Sequence, residues 1–243
     1  MRLFGSEMTR LASRRLFRWV VILFVAGIVL AGILIWVNND GSFRRSDMPG
    51  ALTGLSFPLI MLGWLTGATS IGAEWTHRTV SALLTWEPRR TRVLVCKALA
   101  AATFTAILVV FLELVFTAAL TPGAAAGPLG SDWNEYLGVA GRVLLVAVVS
   151  SVLGFSLATV GKNTAAALGG GMAYLLIVES LVRAYKPGWG RWLLATNMGR
   201  VIEGGAGSGF FERTTTGAVV VLLCYGAGVL LVSLWFFRRR EMA

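Results

Sequence analysis

Long apolar runs alternate with short polar intervals along the whole chain. Runs at about 19–37, 50–73, 98–121, 138–160, 164–182 and 214–237 are each long enough to cross a bilayer as a helix, which takes about 20 residues. Inside lipid the backbone must satisfy its own hydrogen bonds, and a continuous apolar run does so as an α-helix. The pattern predicts an all-α integral membrane protein: a single transmembrane domain, residues 1–243, with six transmembrane helices. The first run, Trp19–Val37, is longer than the roughly 7–15 apolar residues of a cleaved signal. It ends in Trp36-Val37-Asn38-Asn39 without an Ala-x-Ala site, so it reads as a retained signal anchor.

The intervals carry finer patterns. Within residues 2–18, Met8, Leu11, Ala12 and Leu16, continued by Trp19, recur at helical spacing on one face, and Arg10, Arg14 and Arg18 recur on another. That predicts a basic amphipathic helix in the headgroup plane of an anionic leaflet; the alternative is a basic tail that only orients the first span. Span two contains Pro58, tolerated within a membrane, and Gly63 and Gly67, which let a second helix approach closely. Span five opens with Ala165-Ala166-Ala167-Leu168-Gly169-Gly170-Gly171, a small-residue seam for packing within the chain or between two copies. The last interval, 183–213, contains Trp189, Trp192, Leu193, Leu194, Met198, Val201 and Ile202, too apolar for a solvated linker, followed by a flexible glycine-rich joint. It predicts re-entrant or interfacial helices before the last span, or else a surface lid.

Composition agrees with the pattern. The chain is 56% hydrophobic and only 14% charged, against about 25% charged in soluble domains. Its net charge of +10 does not point to nucleic acid, because the basic residues sit at the ends of apolar runs rather than along one surface. With both termini inside, the inner segments hold fourteen basic residues and the outer ones seven, five of them in the long last interval. The positive-inside rule therefore puts both termini in the cytoplasm of a multi-pass plasma-membrane protein. The interval after span two, Glu74–Ala98, then also lies in the cytoplasm; it carries Arg78, Arg89, Arg90, Arg92 and Lys97.

Two carboxylates fall inside spans, Glu113 and Glu179. Glu179 has Arg183 one turn on, and Glu113 is within reach of Arg142 on span four, so both read as paired structural charges. A substrate or proton site is the other reading. Pairing predicts that Glu113→Gln lowers folding yield. The sequence contains no Gly-x-Ser-x-Gly and no His-Glu-x-x-His, and the lone His77 has no neighbouring ligands. Cys96 and Cys224 lie too far apart in the topology to pair. No enzyme, cofactor or metal site is expected in this chain.

The basic interval and its flanks, Gly72-Ala73-Glu74-Trp75, Arg78-Thr79-Val80-Ser81-Ala82-Leu83-Leu84-Thr85 and Arg89-Arg90-Thr91-Arg92-Val93-Leu94-Val95-Cys96-Lys97-Ala98, resemble the transmembrane subunit of type-2 permeases of ATP-binding cassette transporters. The wording Thr85-Trp86-Glu87-Pro88-Arg89-Arg90 is similar to actinobacterial members. The resemblance implies an N-terminal elbow helix at 2–18 and a cytoplasmic coupling helix at about Thr79–Trp86 that docks on a separate ATPase subunit. On that reading Val80, Leu83 and Leu84 fill a cleft on the partner, while Glu74, Arg78, Thr79, Glu87, Arg89 and Arg90 surround them. A helix that only lies on lipid is the alternative. The resemblance also implies a homodimer or heterodimer of permease subunits, an export function, and ATP with magnesium held by the partner. This chain has no phosphate-binding loop: Gly161-Lys162-Asn163-Thr164 lacks the first glycine and has Asn where Ser or Thr belongs. Two other readings are a non-transporting membrane module that recruits a cytoplasmic partner, and half of a secondary transporter.

Overall fold

The computed structural model describes residues 2–38, 43–76, 90–123, 132–204 and 213–239. The architecture is all-helical, and six of its helices are long and apolar enough to cross a membrane. A short first helix, α1 (Arg2–Ser13), breaks at Arg14 and leads into α2 (Arg15–Asn38). α3 (Met48–Thr76), α4 (Arg90–Leu120) and α5 (Asp132–Gly161) follow. The fifth crossing is composite: α6 (Thr164–Ala173), a π-helical turn at Tyr174–Val178, and α7 (Glu179–Tyr185). A 3-10 segment, Pro187–Trp192, then α8 (Leu194–Glu203), precede the last crossing, α9 (Thr215–Arg239).

The helices run past the expected spans at most ends, furthest at the starts of α4 and α5, since a helix continues beyond the hydrocarbon once its hydrogen-bond ladder is established. The N-terminal helix is shorter than expected, ending at Ser13 rather than near residue 18.

The core is built on α3 and α5, the two most buried crossings. Lipid tails are as apolar as leucine, so helices in a membrane associate through close packing rather than through hydrophobic burial. Here glycines provide it. A Cβ on Gly63 or Gly67 of α3 would strike the backbone carbonyl of Ala147 or Ser151 on α5, and one on Gly154 of α5 would strike that of Trp64. The close approach expected at Gly63 and Gly67 is therefore present. α6 joins the same core: Gly171 lies against the Trp64 ring, whose Nε1 donates to the carbonyl of Ala167 at 3.2 Å. Gly169 and Gly170, both exposed, have no neighbouring atoms in the way of a Cβ.

Ring contacts fix which ends of the crossings lie together. Trp75 near the end of α3 packs edge-on against Phe237 near the end of α9, at 6.2 Å between centroids, and Lys162 of the α5–α6 turn lies 5.4 Å over the same Trp75 ring. α1 packs on α4 beside them. One end of the bundle thus carries α1, the α5–α6 turn, the end of α9 and the two roots of interval 77–89; we call it the loop end. In the turn Lys162 adopts a positive φ of 54°, and the Asn163 side chain caps α6 by accepting from Ala165 N at 2.8 Å. The weak likeness of Gly161–Thr164 to a nucleotide loop is thus a helix-capping turn.

Candidate functional site

At the loop end, three helices bring charged side chains into a buried cluster. Lys97 of α4 is 3% exposed, Glu74 of α3 is 4% exposed and Glu7 of α1 is 6% exposed. The Lys97 ammonium donates to Glu7 Oε1 at 2.7 Å and to Glu74 Oε1 at 2.6 Å. Arg10, one turn after Glu7, pairs with both Glu7, at 3.1 Å, and Glu74. Arg14 donates through Nη1 to the carbonyl of Thr69 on α3 at 2.5 Å. Burial, and then the neighbouring Arg10, lower the Arg14 pKa from its ordinary value, while Glu7 opposes them.

Local sequence explains the assembly. Glu7 and Arg10 are three apart on α1 and share a face. Leu11, at 2% exposure, and Phe17 on α2 anchor that face against the bundle, with the Phe17 ring edge-on to Phe104 of α4 at 5.2 Å. The buried Lys97 stands between two buried carboxylates, with Arg10 closing the cluster from a half-exposed position; such opposite charges are the condition for burying an ion at all.

This corrects the reading of Arg10 and Arg14 as a lipid-facing stripe. They turn inward because Glu74 and the Thr69 carbonyl offer partners there; Arg18 is exposed, as are Ala12, Leu16 and Trp19 of the expected apolar face. Glu7, an isolated acid in a basic segment, is the member that sequence reasoning missed. Its spacing of three from Arg10 was the available signal.

Glu74 and Lys97 stand at the two roots of interval 77–89. The candidate residues Arg78, Thr79, Val80, Leu83, Leu84, Glu87 and Arg89 lie outside the described residues, as does the expected helix at Thr79–Trp86. So does His77. Arg90 begins α4.

The intramembrane charges are arranged differently from expectation. Glu179 is fully buried, and its carboxylate accepts from the backbone N–H groups of Leu194, at 2.8 Å, and Ala195, at 3.0 and 3.1 Å. It therefore grips the N-terminus of α8, where unpaired N–H groups and the helix dipole favour an anion. Arg183 is exposed and forms no ion pair with it within 4.0 Å. Because Glu179 lies a turn and a half inside the end of α7, the start of α8 is set at that depth rather than at the tip of the crossing.

Glu113 and Arg142 do not pair either. Arg142 donates through Nε to the carbonyl of Gly138 at 3.0 Å, and its guanidinium fills the space beside Gly204. Gly204 ends α8 with φ +66°, and a Cβ there would collide with Arg142. Glu113 is 7% exposed and its Oε1 has no hydrogen-bond partner. Nearby, the hydroxyls of Thr117 and Tyr136 lie 2.6 Å apart. Among the described residues no group of three or more His, Cys, Asp or Glu is placed to hold a metal.

No curated protein matches the chain. The family described as "Protein of unknown function (DUF2705)" matches residues 50–243, from the start of the second crossing to the C-terminus. That match takes in about four fifths of the sequence, five of the six crossings and two of the four ion-cluster residues, and the chain belongs to the DUF2705 family.

Proposed function

We propose that this chain is the transmembrane permease subunit of an ATP-binding cassette exporter, driven by a separate ATPase subunit. The observation that carries the reading is the buried Glu7–Arg10–Glu74–Lys97 cluster, which ties both roots of the basic interval to α1 and to the two helices that leave it. An interval that only connects two spans has no need of charged roots held out of water, which cost free energy to bury. An interval that receives force from a soluble partner needs roots that move as one body with the helices.

In this reading α1 is the elbow helix, and Thr79–Trp86 is the coupling helix that docks by Val80, Leu83 and Leu84, with Arg78, Arg89 and Arg90 around them. The interval and both termini face the cytoplasm. α8, gripped by Glu179 within the membrane, is the re-entrant element before the last span. Two permease subunits and two ATPase subunits assemble, and ATP-driven closure of the ATPases tilts the crossings through the charged cluster. ATP and magnesium stay with the partner.

The test is co-expression with a candidate ATPase, followed by co-purification and reconstitution. The permease subunit should stimulate ATP hydrolysis, and Arg89→Glu/Arg90→Glu should abolish both stimulation and co-purification while leaving the chain folded. Stable folding without any association with an ATPase would overturn the proposal and favour a membrane module that recruits another cytoplasmic protein.

A further inference from the structure

At the end opposite the loop end, the chain exposes cations stacked on tryptophans. The Lys186 ammonium lies 5.1 Å from the Trp189 ring centroid. Trp192 is faced by two guanidiniums, Arg191 at 5.7 Å and Arg213 at 4.7 Å. Trp189 is 60% exposed and Trp192 50%, although both belong to a segment folded back against the bundle.

None of these cations, nor the exposed Arg183 a turn away, forms an ion pair with a carboxylate among the described residues. Of the nearby acids, Glu179 is committed to the α8 N-terminus and Glu203 lies at the far end of α8; Glu212, next to Arg213 in sequence, lies outside the described residues. Stacking on a ring holds a guanidinium in place without using its N–H donors. On the orientation expected from the sequence this interval lies outside, yet it holds five Lys or Arg residues, four of them in the patch. Basic residues retained where orientation does not ask for them point to a ligand.

Position selects the ligand. Tryptophan exposed at the ends of membrane-spanning helices belongs at headgroup depth, and the patch joins the end of α7 to the start of α9. We propose that Arg183, Lys186, Trp189, Arg191, Trp192 and Arg213 form a binding surface for anionic phospholipid headgroups of the adjoining leaflet. The rings lie against the upper acyl chain and glycerol region, and the cations take the phosphodiester. Tyr225 of α9 donates to the Trp192 carbonyl at 2.8 Å, and the same segment leads directly into the α8 N-terminus held by Glu179. A bound headgroup would thereby fix the position of α8. The inference does not depend on an ATPase.

The experiment uses the full chain reconstituted in phosphatidylcholine vesicles containing a fraction of phosphatidylglycerol, with either lipid carrying brominated chains. Brominated phosphatidylglycerol should quench tryptophan fluorescence more than brominated phosphatidylcholine at equal mole fraction. Trp189→Phe/Trp192→Phe should remove that excess, which assigns it among the nine tryptophans. Each cation near an anionic surface strengthens binding about fivefold. Lys186→Gln/Arg191→Gln should therefore weaken the preference by about 25-fold, and high salt should do likewise in the unaltered protein, a check that needs no variant. Equal quenching by the two lipids would overturn the proposal. So would an unchanged preference in the Gln variant, or a preference abolished by millimolar inorganic phosphate at constant ionic strength, which would make this a free-anion site.

Discussion

Replacing Lys97 with methionine tests the loop-end cluster most directly. Methionine matches the length of the lysine stem and removes only its charge. What remains is two carboxylates, Glu7 and Glu74, each under one-tenth exposed, sharing Arg10. Removing one partner from a buried ion pair costs about 3–5 kcal/mol, because the surviving charge has neither water nor counter-charge. The Lys97 ammonium serves two carboxylates and Arg10 compensates only in part, so we expect a loss within that range. Lys97→Met/Glu74→Gln removes one charge of each sign and leaves the Glu7–Arg10 pair intact. It should therefore recover at least about 1 kcal/mol relative to the single variant, within the usual coupling of contacting groups. Reversible unfolding of the full chain in mixed micelles, followed by tryptophan fluorescence, reads both values. A single-variant loss below about 1 kcal/mol, or a double variant as unstable as the two singles added, would refute the reasoning.

Three other perturbations separate the structural roles. Glu113→Gln keeps the shape of a carboxyl whose Oε1 has no partner, so the melting temperature should hold or rise; a fall equivalent to more than about 1 kcal/mol would reveal a pair that the geometry lacks. Gly67→Ala drives a Cβ into the Ser151 carbonyl and should cost about 1–3 kcal/mol, whereas Gly54→Ala on the same helix meets no atom and should be neutral or mildly stabilising. Equal effects of the two in thermal unfolding would argue against the α3–α5 seam. Glu179→Ala strands the N–H groups of Leu194 and Ala195 and should lose about 1–3 kcal/mol. Glu179→Gln retains an acceptor and should lose less, so equal losses would contradict the cap.

The six crossings were legible because each is a continuous apolar run whose length the bilayer dictates. So was the α3–α5 seam, since Gly63 and Gly67 lie one turn apart on a helix with no reason to carry glycine except close approach. Charge pairing was not legible. From sequence, Glu179 had Arg183 one turn away, and nothing in that spacing revealed that α8 would present its N–H groups instead. Arg142 was read as a partner for Glu113, but the left-handed Gly204 leaves a space that its guanidinium takes. The Arg10 and Arg14 stripe failed in the same way. Periodicity tells which side chains share a face, but the face's environment depends on helices distant in sequence.

The position of α1 follows from the lengths of its neighbours. Glu74 lies 26 residues beyond Met48 along α3, and Lys97 lies 23 residues before Leu120 along α4. At about 1.5 Å per residue these are roughly 39 and 35 Å from the far ends, against a hydrocarbon thickness of about 30 Å. Both charges therefore emerge at the boundary, where dry burial needs a cover. α1 is that cover, and it brings a buried acid, Glu7, and a half-exposed base, Arg10, that offset the charges of Lys97 and Glu74. The register of α1 on the bundle is thus set by charge as much as by Leu11. A displacement that separates Glu74 from Lys97 breaks their ion pair and one of the two that hold α1, Arg10 to Glu74 or Glu7 to Lys97, so α1 opposes any motion of one root without the other.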